Sequence, residues 1–172
     1  MLTLTENELV FEFAGTTMAS KFDDQQHRLS RCMKAVDFVV EYDDHDLLVE
    51  VKDPDQTGAT PERKARFVEK LQGDELVRDL ARKYRDSWIY RWSHDHDKPV
   101  RYVVLLQLST LSDVMLLSLT DRLRHELPAL GPRGAPWPRP FVLGASVLNM
   151  QSWNRLGRYG TVRRVPAPAP AP

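Results

Sequence analysis

Two carboxylic acids and a lysine, Asp37, Glu50 and Lys52, lie within a stretch of otherwise β-rich, apolar sequence. Glu50 and Lys52 are two residues apart, a spacing that places both side chains on one face of a β-strand. Carboxylate oxygens bind hard divalent cations such as Mg²⁺, commonly together with water and a substrate phosphate. A nearby lysine can position or deprotonate an attacking water and offset negative charge on a phosphate. These three residues therefore predict metal-assisted chemistry on a phosphate ester.

The three residues belong to two β-rich runs on either side of a polar turn, a pattern that predicts a β-hairpin. A turn symmetric about Asp44 and His45 sets Asp37 opposite Lys52, and Glu50 then shares their face. The other face carries only apolar side chains, those of Val36, Phe38, Val40, Tyr42, Leu47, Val49 and Val51. A one-residue slip would mix the two sets, so the apolar pattern favours this register.

A surface salt bridge between Lys52 and its neighbours is the simpler interpretation, because exposed Asp, Glu and Lys are common. The residue types, their spacing and the apolar opposite face occur here together. This combination favours a functional site over a solvated surface.

Asp37, then twelve residues, then Glu50-Val51-Lys52 resembles the D…(D/E)-x-K signature of the PD-(D/E)XK nuclease superfamily. In that superfamily a helix precedes the hairpin, and a helix and a further strand follow, an order that residues 18–108 match. Val36 stands where the name-giving proline would be. The resemblance implies an α/β fold with a restriction-endonuclease-like core, a mixed sheet flanked by helices.

The same resemblance implies Asp37 and Glu50 as metal ligands and Lys52 as the catalytic lysine. Members often add an acid from the preceding helix, and Asp23 is the favoured candidate, with Asp24 and Glu12 as alternatives. The implied cofactor is Mg²⁺, with Mn²⁺ able to replace it. The implied activity is hydrolysis of phosphodiester bonds, with DNA as the expected substrate. A Gln-x-x-x-Tyr motif typical of DNA-end-processing branches is not evident after the lysine.

Periodicity and turn residues predict a mixed α/β order for the remaining elements. The predicted elements are a hairpin over 2–13, a helix over 18–33, helices over 60–92 interrupted near Gly73, a strand over 101–108, a helix over 112–127, a strand over 141–148 and a short helix over 150–156. Residues 1–164 are predicted to form one domain. Residues 165–172 form a Pro/Ala tail that is expected to be disordered.

The helical stretch before residue 92 is dense in Lys and Arg, and Lys83, Arg85 and Arg82 are candidate nucleic-acid contacts. A solvated helix with internal ion pairs explains most of these residues equally well. The aromatic residues Trp88 and Trp92 are interleaved with these cations. They either approach nucleic acid or belong to the core or to a protein interface.

The chain of 172 residues is long enough for one domain with a hydrophobic core. Its 24 basic and 24 acidic residues cancel, so attraction to phosphate must come from a local cluster. The sequence contains no uncharged apolar run long enough to predict a membrane span. Cys32 has no second cysteine to pair with, which favours a buried structural thiol and a reducing, cytoplasmic location.

The sequence therefore predicts a metal-dependent nuclease, most simply a DNA endonuclease. Two other functions stay open. One is a non-catalytic module on the same fold that binds nucleic acid or protein, and the other is a different phosphate-ester hydrolase that uses the same carboxylates. A homodimer or a protein partner is compatible with each of them.

Overall fold

Eight strands and four helices are present in residues 1–23, 31–132 and 135–165, which the computed structural model describes. The strands are Leu2–Glu6 (β1), Leu9–Phe13 (β2), Met18–Lys21 (β3), Phe38–Glu41 (β4), Asp46–Lys52 (β5), Val100–Leu106 (β6), Gly144–Leu148 (β7) and Thr161–Arg164 (β8). The helices are Pro61–Gln72 (α1), Glu75–Trp92 (α2), Asp113–Glu126 (α3) and Met150–Leu156 (α4). None of these helices is long and apolar enough to cross a membrane.

The strands form two sheets. The larger is a five-stranded mixed sheet in the order β3-β4-β5-β6-β7. Its first three strands are antiparallel neighbours, whereas β5, β6 and β7 run parallel. The smaller is a three-stranded antiparallel sheet in the order β1-β2-β8. The α/β class and the mixed sheet flanked by helices agree with the prediction from sequence.

The hairpin of β4 and β5 is present, but the predicted register is wrong by two residues. Phe38 pairs with Val49, and the turn closes where the Tyr42 N–H donates to the His45 carbonyl at 2.9 Å. A turn centred one residue earlier than expected moves every partner by two positions. Because side chains alternate with a period of two, this shift leaves the assignment of residues to faces unchanged.

Both faces of the five-stranded sheet are buried. On one face the helices cover a cluster that includes Val39 and Leu48, and on the other the small sheet and Trp153 cover a cluster that includes Phe38. Alternating polar and apolar residues are typical of a strand pair with one exposed face, but both faces of this hairpin are covered. Val36, predicted to lie with Phe38, instead joins the cluster beneath the helices, because it precedes β4 and does not follow the strand's alternation.

The helix boundaries follow from capping residues in the sequence. The Thr60 hydroxyl accepts the Arg63 N–H at the start of α1, with Pro61 in the first turn. The predicted interruption near Gly73 is confirmed, since α1 ends at Gln72. At α4 the Asn149 side chain and Ser152 form a reciprocal capping box.

The helix predicted over residues 18–33 is wrong in its described part. Residues 18–21 form β3, which pairs with β4, and residues 31–37 have no regular structure. Residues 24–30, including the alternative ligand Asp24, lie outside the described residues. Cys32 is exposed rather than buried, and the Pro/Ala tail from 166 onward also lies outside the description.

Candidate active site

Three elements bring the candidate residues together. Asp37 directly precedes β4, while Glu50 and Lys52 lie at the carboxyl end of β5. Helix α2 packs across this face of the sheet and contributes Lys83, which the sequence suggested only as a nucleic-acid contact. The Ser87 hydroxyl on the same helix accepts the Val36 N–H at 3.0 Å, so α2 is anchored beside Asp37.

The four polar side chains form one hydrogen-bonded cluster. Lys52 Nζ donates to Glu50 Oε1 at 2.5 Å, and Lys83 Nζ donates to the same oxygen at 2.6 Å. Lys83 Nζ also lies 3.8 Å from Asp37 Oδ1. The Val51 N–H donates to Asp37 Oδ2 at 2.5 Å and orients that carboxyl group. The predicted catalytic residues Asp37, Glu50 and Lys52 therefore meet at one place.

Burial differs sharply between the acids and the lysines. Glu50 is fully buried and Asp37 is 6% exposed, whereas the Lys52 and Lys83 side chains remain 30% and 22% exposed. Glu50 Oε2 is buried and has no hydrogen-bond partner among the described residues. A buried carboxylate oxygen without a partner is costly, and a cation bound at that oxygen would remove the cost. The donor set thus fits a hard divalent metal ion.

Burial raises the pKa of Asp37 to about 7, and the nearby charge of Glu50 acts in the same direction. Lys83, the Val51 N–H and Lys52 oppose this rise. For Lys83, burial alone would lower the pKa, but the charges of Glu50 and Asp37 outweigh it and the pKa is raised. Lys83 consequently stays an ammonium ion, while Asp37 gains or loses its proton near neutral pH.

The described part of the chain does not bring a third acidic ligand to the cluster. Among the described residues no group of three or more His, Cys, Asp or Glu side chains is arranged to hold a metal ion. Asp23 is exposed and acts on the cluster only as a charge near Lys83. A metal here would be bound by Asp37 and Glu50, with water or substrate phosphate completing its shell.

A cleft opens onto this cluster. A cavity of about 460 Å³ is lined by Asp37 and Lys52, by the β1–β2 turn, and by Arg63, Arg66 and Lys70 of α1. A second cavity of about 290 Å³ shares Lys52 and Lys70 with it and reaches Lys83 and Lys34. Both lysines of the cluster are therefore reachable from solvent.

The three predicted nucleic-acid contacts separate in the structure. Lys83 lies in the cluster, but Arg85 donates to the Glu126 carbonyl at 2.5 Å and so points toward α3. Arg82 is exposed, with its Nε 3.7 Å from Asp86. The arginines that do line the cleft are on α1.

The sequence predicted phosphate contacts in the helical stretch 63–91, but Arg63, Arg66 and Lys70 were not among the residues singled out. Their signal was available, since residues separated by three and four positions share one face of a helix. Without the tertiary structure, nothing indicated that this face of α1 turns toward Lys52.

A larger cavity of about 1070 Å³ lies at the opposite end of β5 and β6. Its walls are aromatic, with Trp88 and Trp92 stacked at 6.4 Å between ring centres and Trp137 opposite them. Asp43 and Asp97 are among the residues at its exposed edge. We call this cavity the aromatic groove.

Comparisons of the chain with family models, with curated proteins and with solved structures give no match. The functional residues are therefore assigned from their own contacts, charges and burial.

Proposed function

We propose that this protein is a metal-dependent nuclease, with a restriction-endonuclease-like core and DNA as its principal substrate. Asp37 and Glu50 bind Mg²⁺, or Mn²⁺ in its place, and Lys52 is the catalytic lysine. One observation carries the proposal: a fully buried Glu50 has one oxygen between two ammonium groups and the other without a partner, beside a cleft lined by cations.

The side chains divide the chemistry among them. The bound metal supplies a Lewis acid that polarises the phosphodiester. Lys52, partly exposed to the cleft, holds an attacking water and offsets charge that develops on the phosphate. Lys83, more deeply placed, offsets the negative charge of the two carboxyl groups and holds them in position.

The element order supports the restriction-endonuclease-like assignment. An antiparallel hairpin bears the three signature residues, two helices follow, and the next strand pairs parallel with β5. The element before the hairpin departs from the expectation, because β3 occupies residues 18–21 where a helix was predicted.

The decisive experiment is cleavage of supercoiled plasmid by the wild type and Lys52→Ala, each with Mg²⁺, Mn²⁺ or EDTA. Lys64→Ala is the matched control, since Lys64 forms a surface pair with Asp55 and lines neither cleft cavity. We expect metal-dependent nicking by the wild type and the control, and a loss of at least about 100-fold in Lys52→Ala. Equal cleavage by Lys52→Ala would remove the catalytic role of the cluster.

A non-catalytic nucleic-acid- or protein-binding module on the same fold is the second candidate. It is favoured by the absence, among the described residues, of a third acidic or imidazole ligand. If no metal supports cleavage of DNA or RNA by the wild type, this second function replaces the first.

A further inference from the structure

One face of α1 carries three cations. Arg63, Arg66 and Lys70 are separated by three and four residues, so their side chains share a stripe along the helix with Phe67 between them. All four residues line the 460 Å³ cavity that contains Lys52 and Asp37. The stripe runs about 10 Å along the helix at 1.5 Å per residue. We call Arg63, Arg66 and Lys70 the α1 cation track.

Each acid that lines this cavity has a cation beside it. Glu6 pairs with Lys21 at 3.0 Å, Asp53 pairs with Arg164 at 2.8 Å, and Asp37 lies 3.8 Å from Lys83. The wall of the cleft opposite α1 therefore does not cancel the charge of the track. The positive charge of α1 is directed into the cavity.

The arginines of the track have no internal use in the described structure. Neither Arg63 nor Arg66 lies within ion-pair distance of an acid in the described residues. Glu62 has the i,i+4 spacing to pair with Arg66, but its carboxylate interacts at the helix start, where hydrogen bonds with its own backbone and Thr60 lower its pKa. Lys70 pairs with Glu75 at 2.6 Å, an exposed pair that contributes little to stability and can exchange.

If the cations of the track served only to keep the surface of α1 solvated, they would have no reason to line a cleft beside the buried carboxyl groups of Asp37 and Glu50. Arginine presents a planar set of donors that matches a phosphate group, and a series of cations along one wall matches a series of phosphates. The neutral net charge of the chain makes such a local cluster the means by which a polyanion could be attracted.

We propose that the α1 cation track binds the phosphodiester backbone of a polynucleotide strand, on one side of the bond beside Lys52. This inference rests on the proposed function, because it places the strand relative to the same cluster. The α1 cation track ends at Lys70, where the 290 Å³ cavity begins, and that cavity is lined by Lys34 and Lys83 as well as by Leu76 and Leu80. The strand is held by its backbone, without reading of its bases.

The test is equilibrium binding in EDTA, where metal-dependent cleavage is absent. Fluorescein-labelled single-stranded DNA, duplex DNA and single-stranded RNA of one sequence are titrated at several KCl concentrations. The wild type is compared with the triple variant Arg63→Ala, Arg66→Ala, Lys70→Ala. The matched control, Arg78→Ala, Arg155→Ala, Arg163→Ala, removes the same charge from exposed residues outside the cleft. Circular dichroism and thermal unfolding confirm that each variant is folded.

We expect the triple variant to bind at least about tenfold more weakly, while the control stays within about twofold of the wild type. The slope of log affinity against log salt should fall by about 2 to 3 in the triple variant, close to one unit per lost phosphate contact. A preference among the three nucleic acids identifies which backbone the track accepts. Equal affinities for the triple variant and the control, or no binding by the wild type at low salt, would overturn the inference.

Glu50→Gln separates this inference from the proposed function. It removes a metal ligand but leaves the track intact, so we expect wild-type binding in EDTA without cleavage in Mg²⁺. Binding that depends on the track in a protein that never cleaves would uphold the inference and overturn the nuclease proposal. If the triple variant still cleaves DNA and binds it with wild-type affinity, the inference is overturned and the nuclease proposal is upheld.

Discussion

Helix α2 supplies a cation to a pair of carboxylates at each end of strand β5. At the amino end, Arg91 Nη2 donates to Asp46 Oδ2 at 2.5 Å and to Glu41 Oε1 at 2.9 Å. At the carboxyl end, Lys83 contacts Glu50 and Asp37. Two similar charge clusters therefore contact α2 at positions eight residues apart, and they differ in how accessible their side chains are to solvent.

The Arg91 cluster is closed. The Arg91 side chain is 7% exposed, and its guanidinium contacts both acids. The Lys83 cluster opens through Lys52 and Lys83 into two cavities. Asp46 Oδ1 and Glu50 Oε2 both lack a partner in the described residues, so an unpartnered oxygen alone does not separate a site from a structural ion pair. The two clusters differ instead in their access to solvent and in their cation, which is lysine in the open cluster and arginine in the closed one.

The two ends of the sheet also differ in the cavity they present. The cleft beside Lys52 has walls of Arg and Lys, whereas the aromatic groove has walls of Trp with Asp43 and Asp97 at its edge. Lys98 and Arg139 also line the groove, so its charges are of both signs. The two cavities therefore differ chiefly in the aromatic walls of the groove and the cationic wall of the cleft.

The largest expected effect contrasts two acids of β5. Glu50→Gln should lower metal-dependent plasmid cleavage by at least about 100-fold, because the variant lacks a carboxylate that we propose as a metal ligand. Asp46→Asn should lower stability but leave the cleavage rate of the folded fraction within about threefold. Rates are measured after the folded fraction is fixed by urea titration. Equal losses of activity in the two variants would mean that the clusters are not functionally distinct.

The second contrast concerns the cations of α2. Arg91→Met should reduce the free energy of unfolding by about 3–5 kcal/mol, since it leaves the buried Asp46 and the partly buried Glu41 without their shared partner. Lys83→Met should cost clearly less, because Lys52 still contacts Glu50 and the site is partly solvated. Urea unfolding at pH 8 gives both values. A larger loss in Lys83→Met would reverse the assignment of the closed cluster as the structural one.

The third prediction uses the protonation of Asp37 in metal-free protein. The fold raises the pKa of this carboxyl from 3.8 to about 7, so the folded state retains a proton that the unfolded chain releases. The resulting stabilisation is complete below about pH 4 and is lost as the pH rises through about 7. Urea unfolding in EDTA should therefore show the stability of the wild type falling, relative to Asp37→Asn, across this window. Parallel pH profiles for the two proteins would contradict the shift.

The smallest effect is expected in the aromatic groove. Trp92 is 62% exposed, and Trp92→Ala should leave plasmid cleavage and oligonucleotide binding within about twofold of the wild type. Fluorescence anisotropy and cleavage assays under the conditions used for the other variants measure both quantities. A tenfold loss of binding would extend the nucleic-acid surface to this end of the sheet.

Local signals in the sequence were enough for the hairpin and for the four helices of the described structure, but they also predicted a helix over residues 18–33, where residues 18–21 form β3. Thr60, Ser112 and Asn149 each cap a helix that begins at the next residue, and all three are visible from sequence. The parity of the hairpin was enough to group Asp37, Glu50 and Lys52, even though the exact register was wrong, because only a shift by an odd number would have separated them.

Features that depend on distant partners could not be predicted. Strand β3 has four residues and no alternating pattern, and β8 forms against β2 from the other end of the chain. The burial of both sheet faces depends on which elements cover them, which residue periodicity does not encode. For the same reason, Lys83 was recognised as a cation on a helix but not as a partner of Glu50.

The pairing of β8 with β2 bears on the order of folding. Arg164 donates to Glu8 across 156 residues of chain, one of the longest separations in the molecule, whereas β4 and β5 meet through a short turn. Closing so large a loop is entropically expensive and is repaid only after the intervening chain is compact. We therefore expect β8 to pair with β2 late, after the local hairpins β1–β2 and β4–β5 have formed, and the uncovered edge of β2 to be open to pairing with other chains until then.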